Sequence, residues 1–284
     1  MPELPEVEVL VRHLLPQLLS KVVRDVRVQR ARTAAPSSPA EVRRALRGAT
    51  FVNLTRRAKY LLFDLQPKKG SKLVRVLGHL GMTGRMYLLP RACPPPKHAA
   101  AVLDLGGEKF VFEDTRYFGR FTLDISAVEK LGPEPLETEE PPGDFARGLK
   151  RSSQAVKVKL LDQTLVAGLG NIYASEALFL AGISPRLPAR KLTRVQTVQL
   201  WKSIRKVLAK AIEVGATIRL AYYETGKGAG LRDTAWAPAE APSPVERFYV
   251  YGRAGEACLN CGQGIKRLVQ AARSTFYCPN CQRR

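Results

Sequence analysis

Apolar residues recur at Val7, Leu10, Val11, Leu14, Leu15 and Leu18, the spacing of one helical face. A helix is expected directly after the N-terminus, with Pro16 bending or ending it. The period then shortens. The stretches VVRDVRVQ, ATFVNL, KYLLFDL, KLVRVLG, RMYLL, AVLDL, KFVFED and RFTLD are short, β-branched and aromatic, and separated by Gly, Pro or charge. They predict antiparallel strands up to about residue 130, arranged as a sandwich or a barrel.

The stretch LGPEPLETEEPPGD is rich in proline and acid and has no apolar period, so residues 133–149 are expected to form an interdomain linker. Helical spacing follows in DFARGLKR, KVKLLDQ, NIYASEALFLAGI and TRVQTVQLWKSIRKVLAKAIEVG. The last begins with a capping box, Thr193 with Gln196, and stops at Gly215. Residues 221–245 are rich in Gly, Ala and Pro and read as a long loop. From Arg247 short strands return around paired cysteines. The chain is thus expected to be α+β and multidomain: residues 1–132 β-rich with an N-terminal helix, 133–149 a linker, 150–245 helical, and 246–284 a cysteine-bearing hairpin.

The 284 residues carry 46 Lys and Arg against 25 Asp and Glu, a net charge of +21, with a pI near 10.1. Solubility does not call for so large an excess, and a polyanion does. Nucleic acid is preferred to a membrane surface because no basic amphipathic anchor is evident. The acidic opening does not suit a secretory signal and no uncharged stretch reaches spanning length. An intracellular protein is expected.

Of five cysteines, four stand at the C-terminus as Cys258, Cys261, Cys278 and Cys281, with only Cys93 elsewhere. Two pairs of this spacing suit a tetrahedral four-cysteine zinc site with no open position, hence a structural one, and Gly262 gives the first knuckle room to turn. Two disulfides are the competing reading. Between the pairs lies a hairpin pattern with Lys266, Arg267 and Arg273 and no acid, suited to phosphate or to a merely solvated basic face.

GLGNIYASE lacks the third glycine and the preceding strand of a dinucleotide fingerprint. The glycines leading into Asn171 can instead present backbone N–H groups to a phosphate, or Asn171 can simply cap the helix.

The opening MPELPEVEVL places Pro5, Glu6 and Glu8 well for a helix start, which leaves Pro2 and Glu3 unexplained. With Met1 removed, Pro2 carries a secondary amine. Its iminium with a sugar C1′ has no N–H to lose and acts as an electron sink. Glu3 is then an acid or base at the same carbon, and Glu6 a support for the amine.

PELPEVE, RRAKYLL, HLGMTG, KH, DTRYFG, LGPEPL, LLDQTLVAGLGNIYASE, VYGRAGEAC and the cysteine pairs together resemble the formamidopyrimidine-DNA glycosylases, bacterial 8-oxoguanine repair enzymes. The resemblance implies an N-terminal β-sandwich, a helix-two-turn-helix domain and a C-terminal zinc finger. It further implies a monomer acting on oxidised purines in double-stranded DNA by base excision and β,δ-elimination, with one structural zinc and no organic cofactor, in the bacterial cytoplasm at the nucleoid. Pro2 takes the place of the nucleophile, Glu3 of the acid/base, Lys59 of the lysine near the reacting phosphate and sugar, and Arg273 of the residue assisting the second elimination. The resemblance also implies that Met82, Arg116 and Phe118 fill the hole left by the flipped nucleotide and that His98, Asn171 and Arg273 contact phosphates. Where members often carry a lysine run this chain has Ser152 and Ser153, so that contact passes to Lys150 or Arg151. Tyr117 stands where many relatives have a second basic residue. From the residues alone, Lys59 reads as a strand-edge lysine, Met82 as core and Arg116 as an ion-pair partner of Asp114. Two other readings stay open: an endonuclease VIII-like enzyme on oxidised pyrimidines, and a zinc-ribbon DNA-binding protein without catalysis.

Overall fold

The computed structural model describes residues 2–68, 72–216 and 248–283. The loop expected at 221–245 lies outside the described residues. Two compact units emerge: Pro2 with Glu6–Glu129, and Glu3–Pro5 with the described residues from Lys130 onward.

The first unit contains α1 (Leu4–Leu18, from Glu6), β1 (Asp25–Val28), α2 (Ala31–Ala34), α3 (Pro39–Leu46), β2 (Thr50–Arg57), β3 (Tyr60–Gln66), β4 (Val74–His79), β5 (Arg85–Pro90), β6 (Ala99–Asp104), β7 (Glu108–Glu113), β8 (Arg120–Thr122) and α4 (Ser126–Glu129). The strands form two antiparallel sheets, β1-β6-β7-β5 and β2-β3-β4-β8. Two open sheets sharing one core make the sandwich, not the barrel. Phe63 of one sheet meets Phe110 of the other edge-on at 5.6 Å, a favoured geometry for ring quadrupoles. The α1 face of Val7, Leu10, Leu14 and Leu18 is buried in the same core.

Pro16 does not end α1, which runs on to Leu18. Its missing N–H costs one bond near the helix end, while Leu14 and Leu18 stay fully buried and hold the last turn in place. Helix α3 was not expected, although its signal is local. Ser38 accepts from Glu41 N, the Glu41 side chain accepts from Ser38 N, and Pro39 occupies the first turn, a complete capping box.

The second unit contains α5 (Gly143–Lys150), α6 (Val156–Lys159), α7 (Asn171–Leu180), a 3-10 turn at Ala189–Lys191, α8 (Arg194–Glu213), and the hairpin β9 (Lys266–Gln270) and β10 (Arg273–Tyr277). The Thr193–Gln196 capping box of α8 is present. Only one turn of KVKLLDQ is helical, because Asp162 accepts from Thr164 N, Thr164 Oγ1 and Lys159 Nζ and closes a turn there. The segment expected as a linker packs within this unit. Trp201 Nε1 donates to Thr138 O at 3.2 Å and Arg205 to Pro135 O at 2.8 Å, Glu134 is buried, and residues from Gly143 form α5. Carbonyls in a proline-rich run have few N–H partners of their own, and α8 supplies them.

Candidate active site and zinc centre

Helix α7 begins at Gly170–Asn171 without a side-chain cap from its own N-cap residue. Its first N–H groups go to Glu3. Gly170 N donates to Oε2 at 2.8 Å, Ile172 N to Oε1 at 2.8 Å, and Tyr173 N to Oε2 at 3.3 Å. A carboxylate at a helix start meets both orphan donors and the positive end of the dipole. Glycine is required at 170 because a Cβ there would lie 2.3 Å from Glu3 Cδ. The helix start expected for phosphate, or for capping by Asn171, is thus occupied by the chain's own third residue. Gln163 fixes the approach, donating to Leu161 O and Leu169 O and accepting from Gly168 N.

Asn171 is the first helical residue. Its Oδ1 accepts from Lys157 Nζ and its Nδ2 donates to Ser274 O at 3.0 Å, next to Arg273 on β10. Lys157 is fully buried. Burial first, then the positive charge of Arg273, pushes its ammonium down to about 8, with Glu3 opposing. Glu3, Lys157, Asn171 and Arg273 thus form one electrostatically linked group. Sequence reasoning missed Lys157, whose only signal was a lysine amid the apolar run VKVKLL. Lys150 donates to Leu192 O at 2.7 Å and Arg190 O at 3.4 Å. Two of its three ammonium N–H groups are thus directed at loop carbonyls, and the side chain is exposed.

The remaining candidates lie in the first unit. Pro2 and Glu6 are buried. Lys59 is also buried, in the β2–β3 turn behind Ala58 at φ 54°, not at an open strand edge. His79, paired across the sheet with Tyr60 and Arg120, is held down at about 4 by burial and by the charges of Lys59 and Arg120. Its neutral ring accepts from Gly81 N through Nδ1 at 3.2 Å.

That bond opens the loop carrying Met82, and a second loop carries Arg116 and Phe118. Asp114, fully buried, joins the two. It accepts from Thr83 Oγ1 at 2.6 Å, Arg116 N at 3.2 Å and Gly119 N at 2.8 Å. At Gly81, φ is 63° and a Cβ would lie 2.7 Å from Gly119 N, so glycine permits the close approach. Met82 and Phe118 are 46% and 41% exposed, which excludes the core reading of Met82. Asp114 serves the loop backbone, and the Arg116 guanidinium lies 4.7 Å over the Phe118 ring. His98 is half-buried, edge-on to Tyr117 at 6.2 Å.

Sγ of Cys258 lies 3.9 Å from Cys281 and Sγ of Cys261 3.5 Å from Cys278, with all four within 4.8 Å of one another. Thiolates about 2.3 Å from a zinc ion span tetrahedral edges of about 3.8 Å, so the donor set fits one structural zinc. Gly262, at φ 73°, donates its N–H to Cys258 O and closes the first knuckle. Glu176 of α7 accepts from Tyr249, Val250 and Tyr251 N, tying the cysteine region to the helix that Glu3 caps. Among the described residues no helix is long and apolar enough to cross a membrane.

Three family models match in order: the formamidopyrimidine-DNA glycosylase N-terminal domain over residues 1–121, its H2TH domain over 131–221, and a zinc finger found in FPG and IleRS over 255–284. A formamidopyrimidine-DNA glycosylase of Carboxydothermus hydrogenoformans is 40% identical over 283 residues, covering 100% of both chains. One of Thermus thermophilus is 40% identical over 293 residues, covering 99% of this chain and 98% of the relative. The chain resembles a variant Lactococcus lactis FPG solved with Fapy-dG containing DNA, with a TM-score of 0.83 and 31% identity over 100% of both chains. MutM in complex with carbocyclic 8-oxo-G containing DNA gives 0.82, at 31% identity and the same coverage.

Proposed function

Because the chain belongs to the formamidopyrimidine-DNA glycosylases, repair enzymes of oxidised bases, we propose that it excises oxidised purines from duplex DNA through Pro2 and cuts the strand by β,δ-elimination. Removal of Met1 frees the Pro2 amine. Attack of that nitrogen on C1′ breaks the glycosidic bond, and the base leaves with the bonding pair and a proton. The sugar ring opens as its oxygen takes a proton, leaving an iminium that has no N–H to lose and stays cationic. Loss of the C2′ proton then expels the 3′ phosphate, and a second elimination expels the 5′ phosphate.

The observation that carries this reading is the placement of Glu3. The residue next to the amine has both carboxylate oxygens oriented by the α7 start, so it can exchange protons at the same carbon without first being ordered. Glu6 supports the amine and Lys59 attends the phosphate and sugar. Arg273, linked to Lys157 through the α7 start, assists the second elimination. Met82, Arg116 and Phe118, carried by two loops locked through Asp114, enter the stack when the nucleotide leaves it, where apolar bulk and a planar donor are needed. His98 contacts phosphate, and Asn171 does so through the second N–H of its Nδ2, the first being given to Ser274 O.

The test is a labelled duplex with one 8-oxoguanine opposite cytosine. The expected product is a one-nucleotide gap with phosphate on both flanking ends. Cutting only at oxidised pyrimidines, or binding without cutting, overturns the proposal.

A further inference from the structure

Two arginines outside the motifs stand against the loop of Arg116 and Phe118. Arg30, the residue before α2, places its guanidinium 4.2 Å over the Tyr117 ring. Arg32, inside α2, lies 5.5 Å over the ring of Phe118, which Arg116 also covers at 4.7 Å. All three arginines are exposed. Among the described residues, none of the three guanidiniums pairs with a carboxylate or donates to a protein acceptor.

A guanidinium stacked on a ring spends its face and keeps its in-plane N–H groups. Here two such edges flank the exposed Phe118 ring and a third lies over the neighbouring Tyr117. Two of the charges share the Phe118 ring, and neither is paired with a carboxylate among the described residues. Like charges gathered in this way are stabilised by an anion from outside the protein, and the planar fork of arginine suits phosphate. The rings also gain. Tyr117 adopts φ 53°, a left-handed conformation that strains a non-glycine residue, and the Arg30 contact holds its side chain in that setting.

Building on the proposed function, we infer that Arg30 and Arg32 grip the DNA phosphates flanking the position Phe118 enters, bracing the rings of Tyr117 and Phe118 with the faces of the same guanidiniums. The α2 turn becomes part of the DNA-binding surface. It couples backbone contact to insertion.

The test is affinity for undamaged duplex between 50 and 200 mM salt, for the full chain and for R30Q/R32Q and R30K/R32K. Each phosphate contact contributes a slope of about −0.9 in log affinity against log salt. Loss of both therefore lowers the slope by about 1.8 in the glutamine variant, and its affinity falls about tenfold less over that range. The lysine variant keeps the charge and the slope, but it lacks the planar stack and loses discrimination of 8-oxoguanine duplex from undamaged duplex. An unchanged slope in R30Q/R32Q, with a melting temperature equal to that of the unaltered protein, overturns the inference. Cutting of the 8-oxoguanine strand by the unaltered protein is scored separately, so failure of the enzymatic reading is seen independently.

Discussion

Thr83 donates its hydroxyl to Asp114 Oδ1 at 2.6 Å, while Gly119 N holds Oδ2 at 2.8 Å. A fully buried carboxylate therefore fixes the Met82 loop to the loop of Arg116 and Phe118. Thr83→Val removes one charge-assisted bond and is expected to cost about 2 kcal/mol. Asp114→Asn costs more, because an amide presents a donor where two N–H groups and a hydroxyl already donate. Urea denaturation reads both. Capture of an 8-oxoguanine duplex should weaken more than binding of undamaged DNA, since only capture needs both loops set together.

His79 predicts acid lability. Its folded value near 4 lies below the unfolded value of about 6.5, so the unfolded chain binds the extra proton between them. Stability is full above about 6.5 and falls as pH drops toward 4, by on the order of 3 kcal/mol. His79→Gln should flatten that part of the profile. Urea midpoints at pH 5 and pH 7.5 measure it, and an equal pH dependence in the variant counts against the assignment.

Lys157 acts at the other end of the scale. With a folded value near 8 and an unfolded one of about 10.4, the unfolded chain again holds the extra proton between them. The cost of burying the charge is present in full below about 8 and relieved as pH rises toward about 10.5. Stability should therefore increase across that window in the native chain and stay level across it in Lys157→Met.

Metal removal tests the cysteine centre. Four thiolates without an ion repel one another, and the Cys258 knuckle loses what closes it. Metal analysis should find one zinc per chain. Chelation or Cys278→Ser should lower the melting temperature and weaken DNA binding, with restoration by zinc after chelation only.

The strands of the sandwich were legible because alternation and turn residues are local signals, as in KYLLFDL. Helix α8 was legible through its capping box and the zinc knuckles through their spacing. Helix α3 carries an equally local signal in SPAE, the capping box of Ser38 and Glu41. Other features depend on partners far along the chain. Glu3 caps a helix start 167 residues away, and Trp201 reaches the proline-rich segment across 63 residues, so composition alone made that segment resemble a linker. The burial of Lys157 follows from the cluster around Asn171 and Arg273, which no window of sequence contains.

The covalent role of Pro2 is measured by trapping the protein on 8-oxoguanine duplex with borohydride, digesting it, and sequencing the crosslinked peptide by mass spectrometry. A reduced sugar adduct is expected on the nitrogen of Pro2 in chains lacking Met1, and none in Pro2-substituted protein without a secondary amine. An adduct on a lysine, or on chains retaining Met1, contradicts it.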